Sequence, residues 1–239
     1  PAAAANPDLT INRFALNTVA FTTFNLADPT NPQPAYDADG NPVDQGAHPI
    51  FGDVAVRQAY AMGFDHDALV ALAGEGAVRS VGPVPPVISW AYASDLAPIA
   101  YDPEGAKALL AEAGYPDGFT TTLLSNTFPN DVAIAQAVIA DLAAIGVNVE
   151  LTSVDNAQFL DVLNTKPESL DMVKTEWYMD YQDPSNNWEP LLQCGGSYNW
   201  AQYCNEALDA QFAETNLIPI GEARWQAFAD FEAAVAAEV

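Results

Sequence analysis

The segment from 120 to 177 constrains the fold most, because its apolar residues switch repeatedly between a strand period and a helix period. "TTTLLSN" reads as a strand. "DVAIAQAVIADLAAIG" follows as a helix, with Val138, Ile139, Leu142 and Ile145 on one stripe and Gly146 as its stop. "VNVEL" is a second strand, "NAQFLDVLN" a second helix and "DMVKTEW" a third strand. Antiparallel neighbours can be joined by a tight turn, but strands separated by whole helices need crossover connections. The alternation therefore predicts an α/β fold whose three strands share one mostly parallel sheet, with the helix over 130–145 packed against it.

Upstream, the first 26 residues alternate well enough for strands, with Val19, Phe21 and Thr23 on one face. "ADPTNPQPAYDADGNPVDQGAHP" is then rich in Pro, Asp, Asn and Gly and reads as a loop. Its carboxylates Asp37, Asp39 and Asp44 suggest a calcium loop. However, the glycine falls at the fourth position instead of the sixth and no glutamate closes the loop, so a plain turn is the better reading. Asp53 and Asp65 are placed to cap the helices "VAVRQAYAMGF" and "HDALVALAG", the latter stopping at Gly74. "GEGAVR" has Arg79 where a dinucleotide fingerprint needs its third glycine, and it ends a helix instead of opening one. "YDPEGAKALLAEAGYPDGF" carries full helix punctuation: Asp102 as N-cap, Pro103 inside, Gly114 after the end and Pro116 beyond. Helical segments near 205–216 and 220–238 finish the chain. No repeat or long linker divides it, so residues 1–239 are expected to form one α/β unit.

Seven basic against 32 acidic residues give a formal charge of −25, which disfavours nucleic acid and anionic membrane surfaces as partners. Half of the chain is hydrophobic, enough for a substantial core, yet no apolar run is long enough to span a bilayer. The opening "PAAAANPDLT" has neither a starting Met nor a basic leader region, so the expectation is a removed leader or an excised piece. Cys194 and Cys204 bracket the polar loop "CGGSYNWAQYC". His48 and His66 are far away in sequence, so a metal site is unfavoured, leaving a local disulfide or two buried thiols. A disulfide would imply an oxidising compartment and would stabilise the fold by about 2–3 kcal/mol.

"EWYMDYQDP" follows the third strand at its carboxyl end, where open α/β sheets gather ligands. Glu176, Asp180 and Asp183 could form carboxylate pairs, but no histidine base, nucleophile elbow, phosphate loop or metal-ligand set accompanies them, so no enzyme is expected. One carboxylate among Trp177, Tyr178, Tyr181 and Trp188 suits an ammonium group, which it would bind by a charged hydrogen bond between apolar walls. A solvated acidic loop whose aromatics pack inward fits the residues equally well.

A resemblance favours the first of these. "FGDVAVRQAYAMGFDHDALV" resembles the helix pair of family 5 extracellular solute-binding proteins. "GPVPP", "YDPEGAKALLAEAGYPDGF", "AVIADLAAIGVNVEL" and the Trp–x–x–Asp–Tyr–x–Asp–Pro stretch follow in the family's order, as do "YNWAQYCNEALDAQ" and "ARWQAFADFEAAVAAE". The loop Ala27–His48, Ala55 and His66 depart from the pattern. The resemblance implies a type II periplasmic-binding-protein-like lobe, the second (ligand-binding) of two, with a mostly parallel mixed sheet flanked by helices. It also implies a periplasmic or extracellular, surface-anchored importer component that hands short peptides to ABC permease subunits. No cofactor is expected, and the protein is expected to be a monomer. By resemblance, Asp180 grips the ligand's α-amino group, Trp177 walls a side-chain pocket, Lys174 meets the ligand's carboxylate and Asn126 is a further lining residue. Rival readings are an oligosaccharide or metal-chelate binder on the same fold, and a sensor or interaction domain that reuses it.

Overall fold

A computed structural model describes residues 18–238. Four strands form one sheet in the order β1-β4-β2-β3: β1 (Thr18–Phe24), β2 (Phe119–Asn126), β3 (Val147–Val154) and β4 (Met172–Tyr178). β2 runs parallel to both β3 and β4, and β1 closes the β4 side antiparallel, from Thr18 opposite Tyr178 to Phe24 opposite Met172. The three strands expected from the sequence thus lie in one sheet, their carboxyl ends together. The remainder of the strand expected in the first 26 residues lies outside the described residues.

Both sheet faces are covered, so the adjacent apolar pairs Leu123–Leu124 and Met172–Val173 of the inner strands are buried on opposite sides. On one face Leu123 and Met172 pack with α1 (Val54–Met62), α3 (Pro103–Glu112) and α4 (Pro129–Ala144). Their neighbours Leu124 and Val173 point the other way, onto Phe159 and Leu163 of α5 (Asn156–Thr165) and onto Trp200. α2 (His66–Ala73) follows α1 directly. A further core joins α6 (Ser185–Leu191), α7 (Glu206–Leu217) and α8 (Glu222–Ala236) around Trp188, Phe212, Phe228 and Phe231. Glu232 ties α8 to the preceding loops by accepting the amides of Val84 (2.6 Å) and Ala93 (3.0 Å), and burial raises its pKa to about 7 despite those donors.

The expected helix punctuation is present. Asp53, Asp65 and Asp102 each accept amides of the first turn, and Gly74 and Gly114 follow their helices at positive φ. Gly118 has no alternative: a Cβ there would lie 1.9 Å from the Gly146 carbonyl oxygen, where β2 and β3 begin side by side. α6 has no counterpart in the sequence reading. In the 27–48 loop, Asp37 caps a tight turn by accepting the amides of Asp39 and Asn41. At its end buried His48 accepts the amides of Ile50 and Phe51 at Nδ1, which assigns the proton to Nε2, facing Asp171 at 3.2 Å.

Candidate binding site at the carboxyl end of the sheet

The turn after β4 places its three acids in different circumstances. Glu176 accepts the Tyr178 hydroxyl at 2.7 Å, a bond that, with burial, pushes the phenol up to about 12. Asp183 accepts the Ser185 amide at 3.0 Å at the start of α6 and lies 3.8 Å from Arg224. Asp180 is exposed, and its carboxylate makes no hydrogen bond or ion pair among the described residues, while its own amide donates to Asn186 Oδ1 at 3.1 Å. Met179, next to it, is buried in the α6–α8 core and fixes the turn.

The aromatics separate in the same way. Trp177 is partly buried, touches both the α5-side core and the α6–α8 core, and lies against Tyr198 with ring centroids 5.2 Å apart. Its indole N–H donates to the Asn186 carbonyl at 2.9 Å and to Asn186 Oδ1 at 3.2 Å. Tyr178 and Tyr181 are exposed, the latter receiving a long bond from the Ser185 hydroxyl at 3.4 Å. Trp188 is different: its ring is enclosed by Tyr203, Phe212 and Phe231, and its N–H donates to Asp209. The structure therefore puts Trp188 in the core, where it can touch no ligand directly.

Lys174, the third residue of β4, and Asn126, the last of β2, are already engaged. Lys174 is buried and ion-paired with Asp131 in the first turn of α4, so its charge is directed into the fold. Asn126 is buried at the end of β2, its side-chain oxygen accepting the Phe128 amide at 2.9 Å. Trp177 and Lys174 also face opposite sides of β4, since strand side chains alternate.

Cys194 and Cys204 are joined by a disulfide. The loop they close carries Tyr198, whose amide donates to the Pro190 carbonyl of α6 at 2.9 Å. The 27–48 loop supports it from behind, with Tyr36 against Gly195 and Gln45 donating to Gln202 at 2.7 Å. Sequence reasoning missed Asn186 and Tyr198 as parts of this arrangement. Their only signal was position: an Asn just after the Asp–Pro pair, and a Tyr inside the cysteine loop.

Two surface clefts lie away from Asp180. One of about 740 Å³ runs between Tyr92–Leu96 and the Trp225 face of α8. The other, about 340 Å³, lies beside Tyr198, Trp200 and Leu163. Among the described residues no group of three or more His, Cys, Asp or Glu is placed to hold a metal ion, and no helix is long and apolar enough to cross a membrane.

The mixed sheet with helices on both faces matches the fold of periplasmic binding proteins. It superposes on a dipeptide-binding protein from Pseudoalteromonas sp. SM9913, solved with Met-Leu, at a TM-score of 0.80 and 25% identity, covering 99% of this chain and 44% of that one. Residues 1–199 match the family described as bacterial extracellular solute-binding proteins, family 5 middle, and the chain belongs to that family. It is 36% identical over 172 residues to heme-binding protein A of Haemophilus influenzae, covering 69% of this chain and 31% of that protein. It is 34% identical over 170 residues to di/tripeptide-binding protein 2 of Pseudomonas aeruginosa, covering 68% and 31% respectively. The chain thus spans about a third of the length of these two relatives. Family 5 proteins serve ABC importers and are periplasmic or extracellular.

Proposed function

We propose that this chain is the ligand-binding lobe of a two-lobed importer component that captures short peptides and delivers them to an ABC permease at the cell surface. The observation that carries the reading is the Asp180 carboxylate, the one acid of its turn left without a partner among the described residues. A peptide's α-ammonium supplies what it lacks, and Trp177 and Tyr198 offer apolar walls beside it for the first side chain. Relatives that bind dipeptides and tripeptides, and the Met-Leu complex, support the same ligand class. Tyr178 and Tyr181 line the outer rim. Lys174, held by Asp131, supports the site from within the fold and leaves the ligand's carboxylate to be met by the other lobe.

Binding in this scheme involves no bond making. A charge-assisted hydrogen bond contributes about 1.5–3 kcal/mol, and stranding its partner in a closed cleft costs more. Asp180→Asn in the full-length protein should therefore weaken Met-Leu by about one to three powers of ten by calorimetry. Parental affinity in that variant would reduce Asp180 to a solvated loop acid.

A further inference from the structure

One residue of α6 makes polar contacts with both Trp177 and Asp180. Asn186 is 5% exposed, and its Oδ1 accepts the Asp180 amide at 3.1 Å and the Trp177 indole N–H at 3.2 Å. The same indole N–H is closer still to the Asn186 main-chain carbonyl, at 2.9 Å. That carbonyl is available for a covalent reason. In an α-helix it would receive the amide four residues on, but the residue there is Pro190, inside α6 and without an N–H. The indole takes the place of the missing helical donor. The Pro190 carbonyl in turn accepts the Tyr198 amide at 2.9 Å, setting the ring that lies against Trp177.

We infer that Asn186 is the positioning residue of the peptide site, aligning the Asp180 turn and the Trp177 ring, and that Pro190 frees the carbonyl on which the ring is seated. The inference rests on Asp180 gripping the ligand's amine. Asn186 has the right chemistry for this and few residues could replace it. An apolar side chain of similar size would leave the Asp180 amide without its acceptor, whereas Asp would keep the acceptor oxygens. Ala at position 190 would restore a helical N–H that competes with the indole for the Asn186 carbonyl.

The test uses the full-length protein and Met-Leu as the probe, read by calorimetry, with amide exchange at Asp180 read separately. Asn186→Leu should weaken Met-Leu about tenfold, Asn186→Asp should stay within about threefold of the parent, and Pro190→Ala should weaken it about threefold. Because Asn186 acts through Asp180 and Trp177 together, adding Asn186→Leu to a variant carrying both Asp180→Asn and Trp177→Ala should cost less than about twofold more, whereas a merely structural role would make the losses multiply. Asn186→Leu should also speed exchange of the Asp180 amide by about tenfold. If Asp180→Asn weakens binding but Asn186→Leu does not, or the losses multiply, the inference falls and the amine-gripping reading survives. If Asp180→Asn binds like the parent, that reading falls, and unchanged exchange at Asp180 in Asn186→Leu overturns the positioning role as well. Should Asn186→Leu fail to fold, Asn186→Ala is judged by the same readings, and parental affinity in Pro190→Ala overturns the part assigned to the proline.

Discussion

Lys174 and its acid Asp131 are both buried, and the pair joins β4 to the first turn of α4. A buried charge stripped of its partner is far more costly than the pair is stabilising. Lys174→Met should therefore destabilise the protein by about 3–5 kcal/mol in denaturant unfolding, and the further change Asp131→Leu should restore most of that loss. Weaker peptide binding without lost stability in Lys174→Met would return the lysine to the ligand. Asp171 gives a second residue-scale outcome. Burial alone would raise its carboxyl, but hydrogen bonds from His48, from the Thr122 amide and hydroxyl and from the Thr121 hydroxyl outweigh it and bring the pKa to about 2. A carboxyl that titrates lower when folded binds fewer protons in the native state than in the unfolded chain. Its contribution, no more than about 2 kcal/mol and less to the extent that solvent screens this part-exposed carboxyl, is complete above the unfolded value near 4 and is lost as pH falls through about 2. Unfolding measured between pH 5 and pH 2 should show this slope, and Asp171→Asn should flatten it.

The helices and strands divide into those whose reasons are local and those whose reasons are remote. β2, α4, β3, α5 and β4 were legible from the period within each segment, and α3 and α4 also from local punctuation, Asp102 and Gly114 around α3 and Gly146 after α4. α6 was not. "SNNWEPL" is too short to show a period, contains a proline and is fixed by contacts outside itself. The Lys174–Asp131 pair spans 43 positions and the His48–Asp171 contact 123, distances over which one sequence shows no coupling. For the same reason the sequence could group aromatics around Asp180 but not tell Trp188, a fully buried core ring, from Trp177, which is only partly buried. The cysteine loop belongs at this scale too. Opening it by Cys194→Ala with Cys204→Ala should cost about 2–3 kcal/mol, through the greater freedom of the unfolded chain. Because the loop sets Tyr198 against Trp177, Met-Leu affinity should fall as well. A stability loss with binding unchanged would remove Tyr198 from the site.

At the scale of the whole molecule, the exposure of Asp180 decides what this chain can do unaided. An ion pair in open water contributes only about 0–1 kcal/mol, because high dielectric screens it and both groups give up hydration for little. The same pair closed off from water, with the ligand's other polar groups also matched, is several-fold stronger. On the proposed reading the chain supplies one wall: an acid, two aromatic faces and the α6 support behind them. It covers less than half of the dipeptide-binding protein with which it superposes, so on the proposed reading the second wall belongs to sequence outside these 239 residues. Residues 1–239 alone should therefore bind Met-Leu at least about a hundredfold more weakly than the full-length protein, and Asp180→Asn should make little difference to the residual binding. Calorimetry on both forms, with unfolding curves to establish that the shorter one is folded, measures this directly. If the folded short form bound Met-Leu as tightly as the full protein, the site would be complete within this chain and no second wall would be needed.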